Sequence, residues 1–216
     1  MACYSAAAMS EHQPILYRPA RRDEARLIAT LFRICAGGVA DYVWSTMQEP
    51  GESLIDVGAR RYEREDTPFS YQNCVMAEVE GRVVGMMVAY PIPVEPPASE
   101  PQNEPDPESA EQPDPVLVPY AVLEAPGTLY VACEAVEAAY RNRGIGEGFL
   151  EVARERARTL GLDTLSLLVF EQNAGSLRFH RRHGFREVAR HPVVPHPLIE
   201  YTGDVVLFTA PVEQPG

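Results

Sequence analysis

A glycine-rich turn between a predicted strand and a predicted helix constrains the fold of this chain more than any other feature. The turn, residues 141–148, reads RNRGIGEG, and Gly144, Gly146 and Gly148 occupy alternate positions. Glycines this dense let the backbone turn tightly and leave its amides open to a ligand. A helix that begins there adds unpaired N–H groups and the positive end of its dipole, which together favour a phosphate. The turn therefore predicts a site for a phosphate-bearing compound.

Three kinds of phosphate-binding turn can be compared with this one. A P-loop requires a lysine, and the sequence contains no lysine at all. A dinucleotide-binding GxGxxG turn requires a third glycine where Phe149 stands. The remaining pattern, [QR]xxGxG, fits residues 141–146 without a mismatch.

Hydrophobic periodicity around the turn predicts a single α/β domain over residues 14–213, preceded by a flexible tail, residues 1–13. The predicted order is a strand, two or three helices, a two-strand hairpin, an insert, then strand, helix, strand, helix and two strands. Asp23 is expected to cap the first helix, and Gly37-Gly38 to end it. The helix after the glycine turn is expected from Gly146 to Leu160.

Residues 91–118 are expected to form a disordered insert between the third and fourth strands. Within residues 91–115, proline recurs at nearly every third position beside seven acidic residues and no basic one. Such a composition buries too little apolar surface to offset the entropy of ordering. Because the insert carries much of the net charge of −12, that charge describes the folded body only in part.

Composition excludes several classes of protein. A net charge of −12 is unlike a nucleic-acid-binding surface, and no apolar run approaches the roughly 20 residues of a membrane span. The scattered histidines match no metal-ligand motif, so no metal is expected. Four single cysteines are expected to be reduced thiols; they are Cys3, Cys35, Cys74 and Cys133. With no signal-peptide pattern at the N-terminus, we expect a cytoplasmic protein that binds neither nucleic acid nor membrane.

The sequence resembles the GNAT superfamily of acyl-coenzyme-A-dependent N-acetyltransferases. In that family the [QR]xxGxG turn joins the fourth strand to the third helix, and an asparagine further on is followed after seven residues by a tyrosine and then by Gly-Phe. This chain has Asn173, His180 and Gly184-Phe185 in the corresponding places. The resemblance covers roughly residues 15–210 apart from the insert. It implies a mixed, mostly antiparallel central sheet flanked by helices on both faces.

The resemblance also implies acetyl-CoA as co-substrate. Its diphosphate would lie on the amides of the turn, with support from Arg141 and Arg143. Its pantetheine arm would pair with strand backbone near a bulge that splays the fourth strand from the fifth. The residues expected to bind the coenzyme are Ala135, Val136, Arg141, Asn142, Arg143, Gly144, Ile145, Gly146, Glu147, Asn173 and Ser176.

Acetyl transfer to an amine requires an unprotonated nucleophile, and a lysine-like amine is almost fully protonated at neutral pH. Glu134, in an apolar strand near the expected bulge, is our candidate base, and Glu137 is the alternative. His180 stands where the family has its acid, although Tyr201 or Tyr130 remain alternatives for that role. Four aromatic residues are candidates to line the acceptor pocket; they are Tyr42, Trp44, Phe69 and Tyr71.

These expectations describe an N-acetyltransferase that passes the acetyl group of acetyl-CoA to a primary amine of a small molecule or peptide by direct attack in a ternary complex. The acidic composition would suit a cationic amine. The alternative is a non-catalytic acyl-CoA sensor of the same fold, because His180 replaces the usual tyrosine. A homodimer is also left open.

Overall fold

The computed structural model describes residues 14–94 and 114–213. Its strands are β1 (Leu16–Pro19), β2 (Cys74–Val79), β3 (Arg82–Pro91), β4 (Leu129–Val136), β5 (Thr164–Phe170), β6 (Arg186–Pro192) and β7 (Asp204–Pro211). Its helices are α1 (Ala25–Cys35), α2 (Val39–Thr46), α3 (Leu54–Tyr62), α4 (Val118–Val122), α5 (Ile145–Thr159) and α6 (Ala174–Arg182).

The strands form one sheet in the order β1-β2-β3-β4-β5-β7-β6. Neighbouring strands are antiparallel except β4 and β5, which run parallel. A parallel pair needs a crossover, and α5 supplies it. The predicted mixed, mostly antiparallel sheet with helices on both faces is confirmed.

Two hydrophobic cores lie on opposite faces of the sheet. The α5-face core includes Ala77, Phe149, Leu150, Leu165 and Phe208. The α1-face core includes Ile28, Trp44, Tyr62, Met76 and Met86. Because both faces are covered, β3 is buried at six consecutive positions, residues 84–89, and its sequence contains a continuous apolar run, VVGMMVAY.

Local signals located most helix ends. Gly38 has a φ of 86° and precedes the first residue of α2, so the Gly37-Gly38 pair does end α1. Asn173 Oδ1 accepts a hydrogen bond from the Ser176 amide at 3.1 Å and caps α6. The expectation for Asp23 is wrong, because Asp23 lies in a 3₁₀ turn (Arg22–Glu24) that precedes α1.

The ends of the predicted insert belong to the fold. Pro91 is the last residue of β3 and pairs with Leu129. At the other end, Asp114 accepts a hydrogen bond from the Tyr42 hydroxyl at 2.7 Å, and α4 begins at Val118. The predicted disorder falls on residues 95–113, which lie outside the described residues, as does the predicted tail, residues 1–13.

Strand β4 contains a β-bulge. Val88 of β3 pairs with Cys133, whereas the next residue, Ala89, pairs with Val131, so Ala132 has no partner on β3. An extra residue reverses the alternation of side chains along a strand. As a result Val131 lies in the α5-face core, while Cys133 lies in the α1-face core two positions later.

Beyond the bulge, β4 separates from β5. The two strands pair only at Leu129 with Leu165 and at Tyr130 with Ser166. From Val131 onwards β4 has no strand beside it on its β5 edge. The predicted bulge and splay are therefore present, and they open a cleft between the two strands.

A disulfide joins Cys35, the last residue of α1, to Cys133. The bulge makes this bond possible, because it turns Cys133 toward the α1 face. The expectation of reduced thiols is wrong for this pair, and Cys74 is the free cysteine of the described residues. The disulfide also removes one observation behind the cytoplasmic assignment, which stays a prediction.

Candidate functional site

The glycine turn begins helix α5 as the sequence predicts. Gly144 is the residue before the helix and has a φ of 83°, a conformation that side chains with a Cβ rarely adopt. Asn142 also has a positive φ, of 60°. These two residues fold the backbone back on itself, so that the amides at the start of α5 point out of the turn.

Those amides are available to a ligand. The N–H groups of Ile145, Gly146 and Glu147 have no acceptor among residues 14–94 and 114–213, and no side chain caps the helix. With the dipole of a 15-residue helix behind them, they form a site suited to a phosphate.

The other two glycines of the turn serve packing. A Cβ at Gly148 would stand 1.9 Å from the hydroxyl oxygen of Tyr17, and one at Gly146 would stand 3.0 Å from the Phe179 ring. Tyr17 donates a hydrogen bond to the Ile145 carbonyl at 3.0 Å. Burial and the nearby Glu147 carboxylate raise the pKa of Tyr17 to about 12, so this hydroxyl stays a donor at neutral pH.

A cleft of about 530 Å³ extends from this turn along the split between β4 and β5. Most residues predicted to bind the coenzyme line it: Val136, Arg141, Asn142, Gly144, Ile145, Gly146, Glu147, Asn173 and Ser176. The side chains of the other two do not line it. The Ala135 side chain is buried in the α1-face core, although its backbone lies on the edge of β4 that is not paired with β5, and the Arg143 guanidinium lies 5.0 Å above the Tyr140 ring.

Glu134 and His180 meet in this cleft. His180 Nε2 lies 3.0 Å from Glu134 Oε2, and each side chain is about nine-tenths buried. The sequence predicts both residues near the reaction but gives no indication that they touch. The bulge explains the contact, because it turns Glu134 to the face of the sheet on which α6 packs.

The histidine is held at both ring nitrogens. His180 Nδ1 lies 2.9 Å from the carbonyl oxygen of Ser176 and 3.1 Å from the hydroxyl oxygen of the same residue. The carbonyl only accepts, whereas the hydroxyl can donate or accept, so either form of Nδ1 finds a partner here. A proton on Nε2 is donated to Glu134 Oε2, and this hydrogen bond fixes the carboxylate.

The second carboxylate oxygen of Glu134 has no partner. Oε1 is buried and receives no hydrogen bond from any residue that the structure describes. A buried acceptor left unpaired is costly, and in native proteins such a group is typically explained by strain, a catalytic role, or a bound water or ion. Oε1 is thus positioned to accept a proton or a hydrogen bond from a bound molecule.

The alternative residues are less well placed. Glu137 is absent from the cleft lining and pairs with Arg82 at 2.6 Å. Tyr201 lines the cleft but stacks on Phe170, with ring centroids 4.6 Å apart. Tyr130 lies in the second pocket, where burial raises the pKa of its hydroxyl far above the usual value.

A second pocket, of about 350 Å³, lies on the α1 face of the sheet. It shares Ala132, Leu168, Phe170 and Cys35 with the cleft, so the two cavities meet where β4 and β5 separate. Two of the four residues expected at the acceptor pocket, Trp44 and Phe69, line it. The other two candidates do not: Tyr42 binds Asp114, and Tyr71 binds Glu65.

Sequence reasoning missed Arg61 and Cys35, which also line the second pocket. Arg61 occurs in the charged sequence ARRYERE, which is typical of a solvated helix face. Helical periodicity does separate it from Arg60, which points outward and pairs with Glu52. Nothing in the sequence distinguishes Cys35 from the other single cysteines.

The described residues contain neither a metal cluster nor a membrane-spanning helix. Within residues 14–94 and 114–213, no three histidine, cysteine or acidic side chains gather closely enough to hold a metal. Across the same residues, no helix has the length and apolarity to cross a membrane.

Residues 40–185 match the family model described as the acetyltransferase (GNAT) family. The fold resembles a crystal structure of an acetyltransferase (21% identity, TM-score 0.60, 92% of this chain and 100% of that chain). It also resembles an N-acetyltransferase from Staphylococcus aureus Mu50 (20% identity, TM-score 0.59, 90% of this chain and 100% of that chain). A third similar structure is the ribosomal-protein-S18-alanine N-acetyltransferase from Escherichia coli (13% identity, TM-score 0.54, 94% of this chain and 97% of that chain). No curated protein sequence matches the chain.

Proposed function

Because this chain belongs to the GNAT family of acetyltransferases, we propose that it transfers the acetyl group of acetyl-CoA to a primary amine of a small molecule or peptide by direct attack in a ternary complex. The coenzyme supplies an activated acetyl thioester. The residues of the chain bind it, position the amine and remove a proton.

Three features along the cleft support binding of the coenzyme there. The unpaired amides of Ile145, Gly146 and Glu147 would hold the diphosphate. The free edge of β4 beyond Tyr130 offers backbone groups to the amides of the pantetheine arm, and Asn173 stands across the cleft. Arg141 adds positive charge, although its Nε also donates to the Val136 carbonyl at 3.0 Å.

The observation that carries the proposal is the unpartnered Oε1 of Glu134. It lies in the cleft two residues beyond Ala132, where the coenzyme cleft and the second pocket meet. In this proposal an amine bound in the second pocket reaches the thioester where the two cavities meet, and Oε1 accepts its proton as the amine attacks. General-base help of this kind typically contributes about 10²- to 10⁴-fold in rate.

His180 supports Glu134 instead of acting alone. Both of its nitrogens are engaged, Nδ1 by Ser176 and Nε2 by Glu134. It therefore orients the carboxylate and stabilises its charge. The departing thiolate needs little help from an acid, because a thiol with a pKa of about 8.5 is a fairly good leaving group.

Thiol release tests the proposal. The protein is incubated with acetyl-CoA and a panel of primary amines, and free thiol is followed against a control without amine. Amine-dependent thiol release, with an acetylated product of the right mass, is the expected result. Tight binding of acetyl-CoA without turnover of any amine would favour the sensor and contradict the proposal.

A further inference from the structure

The second pocket contains a cation with no counter-ion. The Arg61 guanidinium lies 4.3 Å above the Phe69 ring, and its buried Nε has no hydrogen-bond partner. No carboxylate within residues 14–94 and 114–213 pairs with it. Burial lowers the pKa of Arg61, yet a guanidinium stays charged at neutral pH. A half-buried guanidinium with an unpaired Nε and no carboxylate partner leaves a position open for an anion.

Two further polar groups in the lining are also unpaired. The hydroxyls of Tyr62 and Tyr120 are buried without a hydrogen-bond partner in the described structure. Tyr62 is 1% exposed, so water from the surface does not reach it readily. Hydroxyl and guanidinium groups both donate, and a carboxylate can accept from several donors at once.

The rest of the pocket is apolar and largely aromatic. Phe32 contacts Phe69, Phe69 contacts Tyr90, and Tyr90 contacts Tyr130, each pair edge-on with ring centroids 5.5–5.8 Å apart. Such walls suit a ring or a branched aliphatic group. The acidic member of the lining is Glu124, which is exposed and therefore solvated.

The geometry points to an acceptor of one chemical class: a primary amine that also carries a carboxylate on an aromatic or branched apolar body. Its carboxylate pairs with Arg61, its body packs on the aromatic walls, and its amine points to Ala132 and the coenzyme cleft. This assignment rests on the proposed function and specifies its substrate. It replaces the expectation of a cationic acceptor, because a second positive charge beside Arg61 would be repelled.

Matched pairs of amines, with and without a carboxylate, test the assignment. Suitable pairs are 4-(aminomethyl)benzoate with benzylamine, phenylalanine with phenethylamine, and leucine with 3-methylbutylamine. In at least one pair, kcat/KM should favour the acid by about tenfold to hundredfold, the value of one charge-assisted hydrogen-bonded pair. If kcat/KM for the carboxylate-free amine equals or exceeds kcat/KM for the acid in all three pairs, the assignment is overturned.

Variants of Arg61 show whether this residue causes the preference for amines that carry a carboxylate. Arg61→Gln should lower kcat/KM for the acid by about tenfold or more and leave the carboxylate-free amine within about twofold. Arg61→Lys should restore part of the preference, because it keeps the charge. Arg60→Gln is the matched control: this neighbouring arginine is on the outer face of α3, and the preference should not change. Equal losses for both amines in Arg61→Gln would overturn the assignment.

Binding separates this inference from the proposed function. Calorimetry measures the affinity of 4-(aminomethyl)benzoate for the protein saturated with coenzyme A, for wild type and Arg61→Gln. Arg61-dependent binding without turnover would sustain the acid site and contradict the acetyltransferase proposal. Turnover of amines that depends neither on the carboxylate nor on Arg61 would sustain the acetyltransferase proposal and contradict the acid site.

Discussion

At the scale of single residues, the proposed chemistry depends on one carboxylate with two different oxygens. Glu134 Oε2 lies 3.0 Å from His180 Nε2, while Oε1 is buried and unpaired among the described residues. The first contact fixes the side chain, and the second oxygen is proposed to act on a bound amine. The desolvation of both side chains strengthens each interaction, since charges are poorly screened away from water.

We expect Glu134→Gln to lower kcat by about 10²-fold or more, with acetyl-CoA affinity within about twofold of wild type. The variant then depends on amine that is already deprotonated in solution, which falls about tenfold for each pH unit below the amine pKa. The loss in kcat/KM should therefore be greatest at low pH. A pH profile of turnover for both proteins, with calorimetric acetyl-CoA affinity, measures this.

A double variant distinguishes the two roles of His180. If the histidine acts through Glu134, Glu134→Gln with His180→Phe should be no slower than Glu134→Gln alone. Multiplied losses would instead show that His180 acts independently, as an acid. Circular dichroism and thermal unfolding of each variant exclude a loss of fold as the cause.

The sequence identified these residues as candidates but did not predict their arrangement. Glu134 was identifiable because an acidic residue interrupts an apolar strand, and His180 because of its distance from Asn173. Their contact depends on the extra residue Ala132, and no local pattern marks where a strand bulges. Arg61 was not identifiable for a similar reason. Its lack of a carboxylate partner results from the packing of α3 over the sheet, which the local sequence does not show.

At the scale of elements, the position of α5 depends on Gly148, a residue that does not line the cleft. Gly148 lets the helix approach β1, since a Cβ there would lie 1.9 Å from the Tyr17 hydroxyl oxygen and 2.3 Å from its Cζ. Tyr17 in turn contacts the Phe149 ring, edge-on at 5.3 Å. The start of α5, and with it the predicted phosphate site, is held against the sheet by these contacts.

Gly148→Ala should therefore lower the free energy of unfolding by about 1–3 kcal/mol, the usual cost of overpacking. Gly175→Ala is the matched control. Gly175 is also in the first turns of a helix, and a Cβ there would meet only Asn173 Oδ1 at 3.7 Å. Alanine should be neutral there or should stabilise the protein by up to about 1 kcal/mol. Denaturant unfolding of the two variants measures the difference, and equal effects would contradict this account of Gly148.

The disulfide between α1 and β4 is also an element-scale feature. It closes a segment of 98 residues, and removing such a bond typically costs about 2–5 kcal/mol of unfolding free energy. Peptide mapping without reductant should recover Cys35 linked to Cys133. Reductant should lower the stability of wild type but not of the Cys35→Ala, Cys133→Ala double variant. Equal sensitivity of the two proteins would contradict the bond.

Most elements were predictable because their signals are local. The glycine turn, the Asn173 cap and the Gly37-Gly38 stop each follow from the conformations that one or two residues prefer. The hairpin between β2 and β3 has Glu80 and Gly81 at positive φ, as its tight turn requires. The prediction that Asp23 caps α1 was wrong because the residue types that favour helix caps also suit the 3₁₀ turn in which Asp23 lies. Non-local features, the disulfide above all, left no such signal.

At the scale of the whole molecule, two cavities on opposite faces of the sheet meet through the split between β4 and β5. The unpaired amides in the cleft are proposed to bind a phosphate, and Arg61 in the second pocket is proposed to bind a carboxylate. The parallel pairing of β4 with β5 ends after Tyr130, and this early end creates the passage. Fold and proposed function are therefore linked through one irregular strand.

The acidic insert is predicted to be dispensable for this arrangement. Replacing residues 95–113 with a short glycine-serine linker should leave cooperative unfolding and acetyl-CoA affinity within about twofold of wild type, because segments of this composition contribute little to a core. Thermal unfolding and calorimetry of the deletion variant test this. A large loss of coenzyme affinity would show that the insert takes part in binding.

Calorimetric titration with two acetyl donors tests the central claim most directly. Acetyl-CoA carries the diphosphate that the α5 amides are proposed to hold, and acetyl-pantetheine carries the same thioester without it. The account predicts clear binding of acetyl-CoA and an affinity for acetyl-pantetheine lower by at least about tenfold. Equal affinity for the two donors, or no binding of acetyl-CoA, would contradict it.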